Sequence, residues 1–198
     1  MKKKNLNIPK PSPEEVQYYL NFWDSNADLK LSDSSLKYLF SKTYPQNNNL
    51  EEVLIKVCTL KSLFGLIIFS PITVAKHIIS LEIDSKFLKD DLMIVNEIAS
   101  VNISTNRIIN FYSFATKYCS FHKPNIYLKY DYHVSKLLKH HEQTDKFDEF
   151  TEMELRYYDK YHEVFINFRK KYGLDLFSLE QIERYLYLAG KKYFPQNY

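Results

Sequence analysis

The chain has 198 residues, of which 45% are hydrophobic and 16% aromatic, and its formal net charge is +3. This length suits one large domain or two small ones that share a core, and the composition excludes an intrinsically disordered chain. The small net charge excludes a polybasic arm, so binding to nucleic acid would need a local basic patch. With only three glycines, the chain is poorly suited to a glycine-rich phosphate loop or to a hairpin-rich β architecture.

The amino-terminal residues predict a flexible lead over residues 1–12 and then a helix. Ser12 precedes Pro13, and a serine cap followed by proline at the first helical position is a typical helix start. The basic beginning MKKK is not followed by an apolar stretch, so we expect no secretory signal. The most apolar stretch, VLIKVCTLKSLFGLIIFSPI, contains two lysines and ends at a proline. It therefore predicts a buried core helix rather than a membrane span.

Further along the chain, apolar periodicity predicts about eight helices with short connectors and no pair of strands. Asn49 is placed to cap the helix that begins at Leu50, and Ser178 and Gln181 have the spacing of a capping box. The stretch DSKFLKDDLMIVNEIASV reads as one helix and NISTNR as a polar connector. We predict a single all-α domain over residues 13–198, with 13–49 and 142–198 layered around a core of 50–141.

Cysteine and histidine patterns give no sign of a metal site. Cys58 and Cys119 lie in apolar helical patterns without metal-ligand spacing, which predicts two buried thiols in a reducing, cytoplasmic compartment. The six histidines form no H-E-x-x-H motif, and His140 and His141 are adjacent at a solvated helix end. We therefore predict no metal and no cofactor.

Asp131 stands where a new helix opens, after Lys117 and Tyr130. A carboxylate at a helix amino terminus is stabilised as an anion by free backbone N–H groups and the helix dipole. Such a fixed anion can activate water or stabilise positive charge on a sugar. It can equally be a simple helix cap worth about 1 kcal/mol, and the sequence leaves both interpretations open.

Tyrosines and basic residues alternate in the carboxy-terminal helices, as in LRYYDKYHEVF and IERYLYLAGKKYF. This pattern fits a surface that stacks on bases and contacts phosphates. It also fits a helical bundle with half-buried tyrosines and solvated lysines.

From about residue 50 onward the chain resembles a set of small, uncharacterised bacterial proteins. The resemblance rests on the stretches VAKHIISLEID, DDLMIVNEIASV, FYSFATKYCSFHKP, YLKYDYHV and FRKKYGLDLFSLEQIERYLYLAGKKYF. It implies a shared family but no established activity.

More distantly, the chain resembles the helix-hairpin-helix DNA glycosylase superfamily. The order is a buried helix, VLIKVCTLKSLF, then a helix pair around NISTNR, then the loop KPNIYLKYD ending at an aspartate. On this alignment Asp131 matches the catalytic aspartate, and Asn106 and Arg107 lie at the phosphate-gripping hairpin. NISTNR lacks glycine, so side chains would make that grip, and no lysine stands at the hairpin exit. The resemblance therefore implies the monofunctional kind of glycosylase, which uses water.

The resemblance implies an enzyme that binds double-stranded DNA, flips a modified or damaged base and hydrolyses its N-glycosidic bond, in repair or anti-phage defence. Asp131 would position water, Tyr130 and Tyr132 would line the pocket, and Lys117 and His122 would bind phosphate or tune the carboxylate. Contacts to DNA would come from Asn106, Arg107 and Lys61. The alternative is a non-catalytic helical protein that binds DNA or a protein partner in a bacterial defence or toxin system.

Overall fold

The structure is a computed structural model that describes residues 7–105 and 107–196. Residues 1–6 of the predicted lead and the predicted DNA contact Asn106 lie outside the described residues. Most of the described chain is helical, so the prediction of an all-α domain is confirmed in its coarser form, a mainly-α fold.

Ten α-helices and two strands occur in these residues. Their bounds are α1 Pro13–Ser25, α2 Ala27–Tyr38, α3 Leu50–Leu63, α4 Pro71–Ser80, α5 Ile83–Phe87, α6 Ile94–Ala99, β1 Ser100–Ser104, β2 Arg107–Asn110, α7 Tyr112–His122, α8 Tyr132–Asp145, α9 Tyr158–Lys171 and α10 Leu179–Tyr193. A π-helical turn, Leu39–Thr43, extends α2, and a 3₁₀ turn, Glu154–Arg156, precedes α9.

The helix caps predicted at Ser12, Asn49 and Ser178 are confirmed, whereas Ser70, also predicted as a cap, makes no side-chain capping bond to α4. Ser12 accepts a hydrogen bond from the backbone three residues into the start of α1, and Asn49 does the same for α3. Ser178 and Gln181 bond reciprocally as a capping box at the start of α10. These side chains replace the hydrogen bonds that the first N–H groups of a helix lack.

The prediction that the chain has no strand pair is wrong. After the six-residue α6, β1 and β2 form an antiparallel hairpin in which Val101 pairs with Ile109. Val101 is buried between exposed neighbours, which is the two-residue period of a strand. Branched residues on both sides of the polar NISTNR stretch favour this pairing. The unit before α7 is therefore a short helix and a β-hairpin, where a helix pair was expected.

The predicted helix over DSKFLKDDLMIVNEIASV is also wrong, because the structure breaks it between α5 and α6. Asp90 has a φ of 53°, a left-handed conformation that a right-handed helix cannot contain. Leu88, expected on the apolar face, is 85% exposed in this turn.

The centre of the core is α7, of whose eleven residues nine are buried. Helix α3 is shorter than the apolar stretch that predicted it, since it ends at Leu63. It packs against the core by one face. Consequently Cys119 of α7 is buried as predicted, whereas Cys58 of α3 is exposed and that prediction is wrong. No helix in the described part of the chain is long and apolar enough to cross a membrane.

Helices α8 and α10 approach each other closely at Gly190. A Cβ atom at this position would lie 2.3 Å from the carbonyl oxygen of His133. Since that neighbour is backbone, it cannot rotate away.

We therefore expect Gly190→Ala to lower the free energy of unfolding by about 1–3 kcal/mol, the usual cost of overpacking. Chemical denaturation monitored by circular dichroism measures this change. The control is Lys191→Ala, which alters an exposed side chain on the same helix and should shift stability by less than about 0.5 kcal/mol. Equal stability of the Gly190→Ala variant and the unaltered protein would contradict the close packing of α8 and α10.

Candidate functional site

A cavity of about 580 Å³ lies among α1, α2, the end of α3, α7, the start of α8 and α10. Its aromatic lining comprises Trp23, Phe64, Phe121, Tyr130, Tyr132 and Tyr187. Its charged lining includes Lys117, Lys129, Asp131, Glu183 and Arg184. An apolar pocket with a few convergent polar groups is the usual form of a ligand site.

Residues 128–131, called here the 128–131 segment, lead into this cavity without forming a helix or strand. Buried side chains of α7, α9 and α10 form hydrogen bonds with the backbone of this segment. The bonds run from Leu128 N–H to Tyr158 Oη (2.6 Å), Lys129 N–H to Glu183 Oε2 (2.6 Å), Tyr161 Oη to Lys129 O (2.8 Å), Tyr130 N–H to Thr116 Oγ1 (3.0 Å) and Lys117 Nζ to Tyr130 O (2.9 Å). All five side-chain partners belong to residues at most 6% exposed, so the segment is fixed by the core.

Asp131 ends this segment and caps α8, as predicted. One carboxylate oxygen, Oδ1, accepts the N–H of His133 at 2.8 Å. Among the described residues the other oxygen has no hydrogen-bond partner, and the half-buried side chain lines the cavity. The carboxylate thus caps the helix and also borders the cavity, so the two interpretations of the sequence are compatible.

Lys117 lies on the α7 wall of the cavity and is only 5% exposed. Its Nζ donates to Ser113 Oγ and to Tyr130 O, both at 2.9 Å. Burial lowers the pKa of this amine to about 8, while the negative charges of Asp131 and Glu183 oppose the shift. The group is therefore mainly a cation at neutral pH, and it ties α7 to the 128–131 segment.

Two tyrosines flank the carboxylate. The Tyr130 ring is half-buried and packs edge-on against Tyr161 with ring centroids 5.5 Å apart. Tyr132, the first residue of α8, is 41% exposed and also lines the cavity. The structure therefore brings together four of the predicted site residues, Lys117, Tyr130, Asp131 and Tyr132.

The other predicted contacts lie outside the cavity walls. Arg107 is exposed at the start of β2, and Lys61 is half-buried in the last turn of α3. His122 Nε2 lies 3.1 Å from the side-chain oxygen of Asn47, and burial holds the pKa of this imidazole well below 6.5. At neutral pH His122 is therefore an uncharged member of the core.

His122 belongs to a second polar cluster, apart from the cavity. Its centre is formed by Asn47 and the fully buried Lys56. Lys56 Nζ donates to Asn47 Oδ1 at 2.6 Å and to the carbonyl oxygens of Tyr44 and Gln46. Asn47 in turn donates to the carboxylate of Asp84. This cluster anchors the loop between the π-helical turn and α3.

Sequence reasoning did not single out Glu183, although it bonds both the backbone N–H and the ammonium group of Lys129. Glu183 is 6% exposed and shares a face of α10 with Leu179, Leu186 and Gly190. A carboxylate four residues after one apolar residue and three before another, on the apolar stripe of a helix, indicates a buried partner. That signal was present in LEQIERYLYLAG.

Arg184 closes the α2 side of the cavity. Its guanidinium lies 4.8 Å from the ring centroid of Trp23 and bonds the carboxylates of Asp33 and Glu180. Through these contacts Arg184 connects α10 to α1 and α2.

A family model named HI_0787_N, described as an N-terminal domain, matches residues 15–126, which is more than half of the chain. The chain belongs to this family. An uncharacterised protein of Haemophilus influenzae is 34% identical over 161 residues, which cover 81% of this chain and 74% of the relative. No solved structure matches. The resemblance to small uncharacterised bacterial proteins is thus confirmed.

The HI_0787_N match runs from the third residue of α1 past the end of α7 and ends before Asp131. Lys117 and Trp23 lie inside the matched range, whereas the start of α8 and all of α10 lie beyond it. The cavity is therefore shared between the matched part of the chain and the helices that follow.

We expect Thr116→Val to lower the free energy of unfolding by about 1–3 kcal/mol, because the buried N–H of Tyr130 would lose its acceptor. Urea denaturation measures the loss. The matched control is Thr59→Val on the exposed side of α3, where the hydroxyl donates to the Ile55 carbonyl of its own helix. If both variants lost the same small amount, the 128–131 segment would not depend on this bond.

We also expect two lysine amines to titrate near pH 8, since burial lowers the pKa of both Lys56 and Lys117 from 10.5 to about 8. The ¹³Cε shifts of labelled lysines between pH 6 and 11 measure these values. Lys117→Met should remove one low transition and Lys56→Met the other. A protein in which every lysine titrates above pH 10 would contradict the buried placement of both amines.

Proposed function

We propose that this protein is a monofunctional DNA glycosylase that takes a flipped, modified or damaged base into the large cavity and hydrolyses its N-glycosidic bond. At about 580 Å³ the cavity falls in the range of small-molecule sites, which is about 300–1,000 Å³. Its aromatic walls would stack on the base and offset the few kcal/mol that flipping costs.

The observation that carries this proposal is the attachment of Asp131 to the core. The 128–131 segment is bonded by five buried side chains and ends with a carboxylate that borders the cavity. A helix cap alone needs no such support, whereas a reacting group must be held within about 0.5 Å of its productive position.

In the proposed reaction the bond between the base and the anomeric carbon breaks, and its electron pair leaves with the base. The developing positive charge on the sugar is stabilised by the Asp131 carboxylate. A water oxygen bonds the anomeric carbon, and Asp131 accepts the one proton that this water gives up. That proton then passes to the departing base through solvent, which restores the carboxylate. The products are the free base and an abasic sugar.

Lys117 acts in this proposal through position and charge. Its ammonium donates to Ser113 and to the carbonyl of Tyr130, the residue before Asp131. With its donors engaged, water rather than this amine is the proposed nucleophile. Tyr130 and Tyr132 would form the walls on either side of the sugar.

The proposal includes a relation to the helix-hairpin-helix glycosylase fold and a role in DNA repair or anti-phage defence in the cytoplasm. Its support is the order of elements: α7, then a loop containing Pro124, then an aspartate opening α8. Before α7 stands a β-hairpin, so Arg107 would contact the DNA backbone from a strand.

The test compares the unaltered protein with Asp131→Asn on duplexes with and without modified bases, including phage DNA with hypermodified cytosine. Alkali then reveals abasic sites as strand breaks. We expect cleavage of modified duplex and at least a hundred-fold lower rate for Asp131→Asn, since asparagine still caps a helix but cannot accept the proton. Asp28→Asn, at an exposed position in the first turn of α2, is the matched control and should retain full activity.

Cleavage that is absent in every variant, or equal in the unaltered protein and Asp131→Asn, would reject the glycosylase. It would favour the alternative of a non-catalytic helical component that binds DNA or a protein partner.

A further inference from the structure

We infer that a second, smaller cavity binds a phosphodiester group of the nucleotide next to the flipped one, through Arg156; this inference rests on the proposed function. The second cavity has a volume of about 230 Å³. It shares Leu66, Ser113 and Tyr130 with the large cavity. A ligand too long for the large cavity would therefore continue into the small one across these residues.

Arg156 is exposed and lies on the wall of the small cavity. Its backbone N–H donates to the carbonyl oxygen of Met153, but among the described residues its guanidinium group makes no hydrogen bond and no ion pair. Arg169 and Arg184, by contrast, each lie against a carboxylate. The forked donors of Arg156 are thus available, and their planar geometry suits two oxygens of one phosphate.

The backbone that carries Arg156 is held in place. Tyr112 Oη donates to the carbonyl oxygen of Leu155 at 3.1 Å, and both residues are buried. Burial raises the pKa of the Tyr112 hydroxyl, so it remains a donor throughout the physiological range. Asp159 is the nearby acidic group that also acts on this hydroxyl, but no ion pair joins it to Arg156 in the described chain.

Size and lining favour a phosphodiester over a second base. A volume of about 230 Å³ lies below the usual range of pockets for whole ligands and suits a phosphate with part of a sugar. Ile67, which is 75% exposed on the rim, offers apolar contact to the sugar, and Asn110 offers an amide. Arg107 stands at the other end of β2, three residues from Asn110 and so about 10 Å away.

The contact with the DNA backbone is therefore assigned to the 3₁₀ turn before α9, in addition to the β-hairpin. The track would run from Arg156, past Tyr130, to the carboxylate of Asp131. This track places one phosphate next to the sugar whose bond is cleaved.

Fluorescence anisotropy with a labelled, unmodified duplex tests this assignment, because no cleavage interferes. Affinities are measured at several salt concentrations for the full-length protein, Arg156→Ala, Arg156→Lys and the control Arg169→Ala. We expect Arg156→Ala to bind five- to ten-fold more weakly at 100 mM salt, with a salt slope reduced by about 0.9. Arg156→Lys should recover the slope but not all of the affinity, because lysine lacks the fork.

Arg169→Ala should match the unaltered protein in affinity and slope. The inference is overturned if Arg156→Ala behaves like Arg169→Ala, or if the unaltered protein does not bind duplex at all. A titration with inorganic phosphate separates a phosphodiester from a free phosphate. If millimolar phosphate bound through Arg156 while DNA did not bind, the assignment to a nucleic acid would also be overturned.

These outcomes are distinct from those of the glycosylase test. An Arg156-dependent salt slope without any abasic product would support the phosphate site and reject only the hydrolytic step. Abasic product together with an unchanged salt slope in Arg156→Ala would support the hydrolytic step and reject the phosphate site.

Discussion

The candidate site depends on the hydrogen bonding of the 128–131 segment. Backbone groups buried outside helices and strands must find other partners, since each unsatisfied group costs about 1–3 kcal/mol. Here α7, α9 and α10 supply those partners through Thr116, Lys117, Tyr158, Tyr161 and Glu183. The packing of three helices therefore sets the position of Asp131, which is a stiffer attachment than a surface loop provides.

A second loop in the core is also held by a buried side chain that bonds its backbone. Lys56 is fully buried and holds the loop before α3 by its carbonyl oxygens, as Lys117 holds the 128–131 segment. In both cases burial lowers the pKa of the amine to about 8, and nearby acidic groups oppose the shift. A buried ammonium is tolerated only when its donors are satisfied. Both lysines meet that condition, so each stabilises a loop of irregular backbone.

Membership of the HI_0787_N family places the chain with relatives of no stated activity, so the functional argument rests on the site. The large cavity joins aromatic walls to a fixed carboxylate, and the small cavity adds Arg156, which has no carboxylate partner among the described residues. The two cavities share Leu66, Ser113 and Tyr130, and under the proposed function they would hold a base, its sugar and a neighbouring phosphate. In the lining of the large cavity, Arg184 contacts Trp23 of α1 and Asp33 of α2. The first two helices therefore take part in the site.

Local sequence determined the helical class, the caps at Ser12, Asn49 and Ser178, and the place of Asp131 at the start of α8, because these features depend on neighbouring residues. It also brought Lys117, Tyr130 and Asp131 together as candidates. The strand pair and the break at Asp90 were missed, because short strands and left-handed turns without glycine give weak local signals. Only the tertiary structure decided that Glu183 meets Lys129 from 54 positions away, and that His122 lies in the core while Arg156 borders a cavity. Such contacts depend on how helices pack, and residue spacing along one helix does not contain that information.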